Sequence, residues 1–300
     1  MSGVLTNLSN KLYEDSRMRL NQSARTFGIE DIRSYDLGDI LHTPFYSANR
    51  SILDQPTGMG YWLWKPYIIR EVLASVPEDA VVIYSDSGIE LIASPEPLLS
   101  ICRDQAPVLL FGNGDHTNSA WTKRDCFVLM NCDTEYYWKA PQCDAAFALF
   151  RKCPQTMEFV DEWLSYCRDA RILTDMSNTC GKRDLTDFIE HRRDQSVLSL
   201  LALRYRLPLF RMPTQFGNHY KMPSVRVDGE FNCVSQYRQH PVNYYAVVPY
   251  YNSPYGQLLD HHRGQNKGMS VKKSNSPLLW RAIKKRYVRW RNRLSLWRES

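Results

Sequence analysis

The chain has 300 residues, of which 43% are apolar, 12% aromatic and 23% charged. That balance excludes a disordered chain, and 14 Gly with 16 Pro are too few for a collagenous or low-complexity protein. The net charge of +6 is unevenly placed: residues 272–300 carry ten basic side chains and one acid, leaving the first 271 residues with 28 basic and 31 acidic groups.

No run of 18 apolar residues occurs, so no membrane-spanning helix is expected, and Met1 to Arg17 lacks the charged start and apolar stretch of a secretory signal. These features predict a cytoplasmic protein. The eight cysteines, at 102, 126, 132, 143, 153, 167, 180 and 233, include no CxxC pair, and free packed thiols are expected rather than disulfides or a zinc ribbon. There is no internal repeat.

In chain order, Val4 to Leu8 reads as a short strand, and Leu12 to Phe27 as a helix stopped by Gly28. Asp31 to Tyr35 is a second strand, and Trp62 to Ala74 a helix with Pro66 in its first turn. Ala80 to Ser85 is short, β-branched and apolar, as a buried parallel strand requires. Val108 to Phe111, closed by Gly112-Asn-Gly114, and Phe127 to Met130 are further strands by the same criterion. Helices follow at about Thr156 to Arg168 and Asp194 to Tyr205, and residues 208–270 read as loops and short strands. Alternation of this kind predicts an α/β domain with a largely parallel sheet.

Four segments carry chemistry. Gly58-Met-Gly-Tyr-Trp-Leu-Trp-Lys-Pro66 sets Trp62, Trp64 and Lys65 at a helix start, where free N–H groups and a lysine attract phosphate and an aromatic can stack on a base or sugar. A bulky core segment gives the same pattern. In Tyr84-Ser-Asp-Ser-Gly88 an apolar strand ends in Asp86, Ser87 and Gly88. Ligands in open α/β sheets bind beyond such strand ends, and one carboxylate there can hold a divalent cation against a diphosphate. An Asx-type turn is the plainer alternative. His191-Arg-Arg-Asp-Gln-Ser196 opens a helix, so Asp194 and Gln195 either cap it or hold and deprotonate a sugar hydroxyl. Asp260-His-His-Arg-Gly264 offers at most one imidazole ligand, His262 or its neighbour His261, with Arg263 as a diphosphate contact; His219 is a rival ligand.

In order and spacing, Gly60-Tyr-Trp-Leu-Trp-Lys-Pro66, Ile83-Tyr-Ser-Asp-Ser-Gly88 and His191-Arg-Arg-Asp-Gln-Ser196 resemble the GYWxWKP, YxDxG and HRxDQS motifs of bacterial glycosyltransferases from capsule and O-antigen gene clusters. Arg19 to Gly28 and Trp121-Thr-Lys-Arg-Asp125 look like further shared elements, and the resemblance spans roughly residues 10–265. It implies a GT-A-like nucleotide-sugar transferase with one Rossmann-type sheet flanked by helices. It also implies a nucleotide-diphosphate sugar as donor, a glycan or lipid-linked glycan as acceptor, and a Mg²⁺ or Mn²⁺ ion. Donor binding would fall to Trp62, Trp64, Lys65, Asp86, Ser87, Gly88, Lys123 and Arg263, acceptor binding to Asp194 and Gln195, and catalysis to Asp86 and Asp194. The second acid of the usual acid-x-acid motif is Gly88 here, which leaves Asp86 and a later histidine for a metal.

A nucleotidyltransferase is the nearest rival, but residues 1–60 hold no Gly-rich basic loop. A membrane- or nucleic-acid-binding protein is argued only by the basic tail, and no nucleic-acid partner is expected of a net-acidic body. The chain divides into a catalytic domain over residues 1–271 and a linker with a basic amphipathic helix over residues 272–300. In the tail Trp280, Ile283, Tyr287, Trp290, Leu294 and Trp297 recur at 3, 4, 3, 4, 3, one apolar face among arginines and lysines. This is the pattern of a helix lying on an anionic membrane, on the inner face of the cytoplasmic membrane for a cytoplasmic protein.

Overall fold

The computed structural model describes residues 3–215, 217 and 252–262. The basic tail, His219, Cys233 and Arg263 lie outside the described residues.

The protein is an α/β fold with a central sheet flanked by helices. Among the described residues its strands are β1 (Val4–Leu8), β2 (Ile32–Tyr35), β3 (Val81–Ser85), β4 (Ile89–Leu91), β5 (Val108–Thr117), β6 (Pro141–Arg151), β7 (Leu209–Phe210) and β8 (Leu259–His261). Six of them form one sheet in the order β2-β1-β3-β6-β5-β7, and β4 pairs with β8 separately. Strands β1, β2 and β3 run parallel, as do β5 and β7, while β6 runs antiparallel to both its neighbours. The carboxyl ends of the parallel strands therefore share one edge with the amino end of β6.

Both faces of the sheet are covered, so the strands are apolar on both sides. On one face Val82, Tyr84, Ala148 and Phe150 pack against helices Trp64–Ser75, Pro154–Cys167 and Asp194–Arg204. On the other, Val81, Ile83, Phe147 and Leu149 meet helices Glu14–Thr26 and Glu96–Asp104 and the β4–β8 pair.

Two local expectations are corrected, and one strand goes unread. The Phe127 to Met130 run is not a strand; it belongs to a helix, Arg124–Leu129, that buries Cys126 and Phe127. Periodicity does not separate a short buried helix from a strand. Strand β5 is not closed at Gly112-Asn-Gly114 but continues to Thr117, with register shifts between Leu109 and Phe111 and between Asn113 and Thr117. Strand β6 was not foreseen: three of its eleven residues are alanine, a residue depleted in strands. Among the described residues seven cysteines are free thiols, five of them buried. Among the described residues no helix is long and apolar enough to cross a membrane.

Phe150 is fully buried and sits in register with Val82 and Val108 on the two adjoining strands. Phe150→Ala is expected to cost about 3–5 kcal/mol, read as a lowered urea midpoint.

Candidate active site

The first side of the site is built by an unusual turn. Gly58, Met59, Gly60, Tyr61 and Trp62 all have positive φ, at 56, 55, 92, 55 and 60°. Left-handed backbone costs an L-residue roughly 1–2 kcal/mol, and three of these five are not glycine. The turn is held by Gly60 N–H donating to Gln55 O at 2.8 Å and by the Trp64 indole donating to Gly58 O at 3.0 Å. Gly60 is required here twice over, since a Cβ would lie 2.6 Å from Leu53 Cα. The helix then begins at Trp64, which is buried in the core, and Lys65 enters the interior one residue later.

The second side is the end of β3. Asp86 N–H donates to Ala146 O at 2.7 Å, Ser87 Oγ donates to Leu8 O at 3.1 Å, and His262 N–H donates to Gly88 O at 2.9 Å. Tyr84, two residues back on the same strand face, donates its hydroxyl to Asp86 Oδ1 at 2.6 Å.

The third side is the start of the Asp194–Arg204 helix. Arg193 precedes it at φ +54°, with its guanidinium on Asp175 at 2.7 Å and 5.7 Å from the Trp62 ring centre. The Trp163 indole donates to Asp194 O at 3.2 Å. Gln195 donates to Gln142 Oε1 at 2.7 Å, and buried Gln142 donates in turn to Trp121 O and Thr122 Oγ1.

These three sides meet at one ammonium. Lys65 Nζ lies 3.1 Å from Asp194 Oδ2 and 3.5 Å from Asp86 Oδ1, and donates to Ala145 O at 2.9 Å. The side chains of Lys65 and Asp194 are 3% and 6% exposed, while that of Asp86 is 35% exposed and forms the open mouth. Burial works against the lysine charge, but Asp194, Asp86 and Asp144 outweigh it and hold the ammonium above its ordinary pKa. Burial pushes the Asp194 carboxyl up to about 6 against the pull of Lys65, with Asp86 adding to the rise. A carboxylate that titrates near neutrality is suited to accept a proton.

The structure thus brings Lys65, Asp86 and Asp194 together and sets Ser87, Gly88 and Gln195 beside them. Trp62 is half-buried at the rim. Lys123 is elsewhere engaged: its buried ammonium donates to Thr174 O and Met176 O, at 3.2 and 2.8 Å. The backbone of His261 is bracketed by Gln215, and the charges bearing on the His262 ring are those of Arg19, Glu90 and Asp260. Tyr84, Gln142 and Asp144 are site residues that the sequence reading missed. The Tyr-x-Asp spacing on a strand was a usable signal for Tyr84; the other two sit on the unread β6.

No protein-family model matches the chain, and no curated protein does. Among solved structures it is similar to mouse xyloside xylosyltransferase 1 in its apo form, with 11% identity, a TM-score of 0.47 and coverage of 87% of this chain and 97% of that one. It is also similar to the galactosyltransferase LgtC in complex with donor and acceptor sugar analogues, with 14% identity, a TM-score of 0.41 and coverage of 87% of each chain. A third is the apo glycosyltransferase GlyE of Streptococcus pneumoniae, with 11% identity, a TM-score of 0.42 and coverage of 95% of this chain and 60% of that one.

Replacing Lys65 strands two carboxylates. Lys65→Met is expected to cost about 3–5 kcal/mol at pH 8. The loss shrinks at pH 5, because a folded-state pKa raised above the unfolded value favours the fold at low pH, where Asp194 is protonated. Urea titrations at the two pH values measure both effects.

Proposed function

We propose that this chain is a GT-A-like glycosyltransferase that moves a sugar from a nucleotide-diphosphate donor to a hydroxyl of a growing surface glycan of the capsule or O-antigen kind. One observation carries the reading. Three motifs far apart in sequence converge on the Lys65–Asp86–Asp194 cluster, at the carboxyl edge of the parallel strands, where ligands of open α/β sheets bind. The catalytic domain is residues 1–271.

The reaction breaks the bond between the anomeric carbon and the donor phosphate oxygen and forms one to the acceptor oxygen. Electrons of the broken bond leave with the nucleoside diphosphate, and the acceptor hydroxyl loses its proton to Asp194. With one ammonium against two carboxylates the cluster carries a net negative charge, which suits the positive character growing on the sugar. Gln195 orients the acceptor, and Trp62 at the rim flanks the donor. Lys65 is neutralised by its carboxylates and Lys123 is committed to backbone carbonyls. Their part is therefore to position the site, and the diphosphate contact falls to Arg263.

Among the described residues no three His, Cys, Asp or Glu side chains gather as a metal cage. A divalent cation nevertheless fits Asp86, because Mg²⁺ is commonly held by one or two carboxylates together with substrate phosphates, and Asp86 is the exposed carboxylate of the cluster. His262 is the imidazole proposed beside it, with His261 and His219 as rivals. When bound, the ion supplies charge neutralisation to the leaving diphosphate.

The tail gives this enzyme its place. We propose that residues 277–300 form a helix that holds the protein on the inner face of the cytoplasmic membrane, where a lipid-linked acceptor resides. Each Lys or Arg near an anionic surface contributes about 1 kcal/mol.

Incubation with a panel of nucleotide sugars and a glycan acceptor tests the activity, and no transfer from any donor overturns it. Asp194→Asn is expected to lower kcat by about 10²-fold or more. In the wild type kcat/KM falls as pH drops through about 6, since Asp194 acts only when ionised. A flat acid limb removes it as the base. Deleting residues 277–300 is expected to release the protein from anionic liposomes while leaving transfer to a soluble acceptor intact. Undiminished liposome binding refutes the anchor.

A further inference from the structure

Residues 174–193 run for twenty positions without helix or strand and end at Asp194. Loops of that length in compact domains are uncommon and are usually functional or disordered. This one is tied down at its start, middle and end, and many of the ties come from one short stretch, residues 120–125.

At the loop's start, Lys123 Nζ donates to Thr174 O and Met176 O. At its middle, the buried Asp125 carboxylate accepts from Thr179 N–H at 2.8 Å, Thr179 Oγ1 at 3.0 Å and Cys180 N–H at 2.8 Å. Asp125 N–H donates to Asn178 Oδ1 at 3.0 Å, while Arg124 N–H and Asn178 Nδ2 both donate to Asp184 Oδ1, at 2.7 and 2.8 Å. At its end, Ile189 N–H donates to Ala120 O at 2.7 Å and Arg192 N–H to Trp121 O at 3.0 Å. His191 locks entry to exit: its Nε2 bonds Ile172 O at 2.8 Å and its Nδ1 accepts from Lys123 N–H at 3.3 Å. Those partners require a neutral imidazole protonated at Nε2, and burial holds the His191 pKa down at about 3.

The next residues are Arg193, at positive φ, and Asp194. We propose that Asp125 is a positioning residue for Asp194: by fastening the centre of the 174–193 loop it fixes the path along which the chain delivers Asp194 to Lys65. The proposal rests on the catalytic reading of Asp194 given above. It assigns the Trp121-Thr-Lys-Arg-Asp125 element to the aiming of the base rather than to donor binding. A carboxylate suits this task because it only accepts, and all three groups it meets are donors.

The test is a double-mutant cycle with a substrate-free control. Asp125→Asn places an NH₂ against backbone donors. It is expected to lower kcat by about 10²-fold with the donor KM within a factor of two, the scale of a small misplacement of a catalytic group. In the Asp194→Asn background the same change is expected to give no further loss, because both act through one group. Additive losses overturn the proposal, and so does a donor KM that rises in step with the fall in kcat. Thr179→Val removes one of the three donors from an exposed position and is expected to give a smaller kcat loss with the fold intact, reversed by Thr179→Ser. If Asp125→Asn does not fold, the Thr179 pair runs the same cycle. Amide hydrogen exchange needs no substrate. In Asp125→Asn, faster exchange at Thr179 and Cys180 is expected to extend to Gln195 and Ser196, and exchange confined to the loop refutes the coupling. If no nucleotide sugar supports transfer while the exchange still propagates, the catalytic reading has failed and the mechanical link has not.

Discussion

The site depends on one buried ammonium. Lys65 has left water almost completely, which is costly unless opposite charge lies close by. Asp86 comes from the end of a strand, Asp194 from the start of a helix 108 residues later, and the Ala145 carbonyl from the reversed strand β6. None of the three elements can shift alone without costing the ammonium an ion pair or a hydrogen bond. A buried ion cluster of this kind is seldom the most stable way to fill a core, since well-packed apolar residues often do as well. Its value is geometric: it forces two carboxylates into one place and leaves the more exposed of them at the mouth.

Strain flanks that cluster on both sides. The left-handed turn at Gly58 to Trp62 leads into Lys65, and the positive φ of Arg193 leads into Asp194. The two strained segments also face each other, with the Arg193 guanidinium over the Trp62 ring. Unfavourable backbone persists only where surrounding contacts over-determine it, and such positions cluster at functional sites. Here the Trp64 indole, the close approach of Gly60 to Leu53 and the ties on the 174–193 loop do the determining. The chain is bent against its preference where its two charged side chains must turn inward.

Much of this was legible in the residues. The apolar runs at Val4 to Leu8 and Ala80 to Ser85 gave the parallel strands, and Asp86 at a strand end is visible as soon as the strand is. What the sequence hides is partnership. Lys65 beside tryptophans at a helix start reads as a phosphate ligand, because nothing local shows that the left-handed turn will drive it into the interior against two distant acids. Lys123 was expected at the donor and Asp125 only as part of a shared element, yet both point into a loop more than fifty residues away. Strand β6 was unreadable for a different reason. Its alanines do not look like a strand and are tolerated because large neighbours, Phe147 and Phe150, fill both faces of the sheet around them.

The charge distribution follows the same division of labour. In the proposed enzyme two electrostatic tasks coexist on one chain: a local negative cluster that handles a sugar and a proton, and a basic tail that handles a surface. Opposite charges this numerous would attract one another if both were exposed. Within the cluster Lys65 compensates part of the negative charge at 3.1 and 3.5 Å, whereas exposed charges are screened beyond roughly 8–10 Å at physiological salt. The body as a whole is only weakly acidic, so the ten basic residues of the tail suit a more negative partner. In the proposed enzyme an anionic membrane is such a partner, and each basic residue of the tail near that surface adds about 1 kcal/mol.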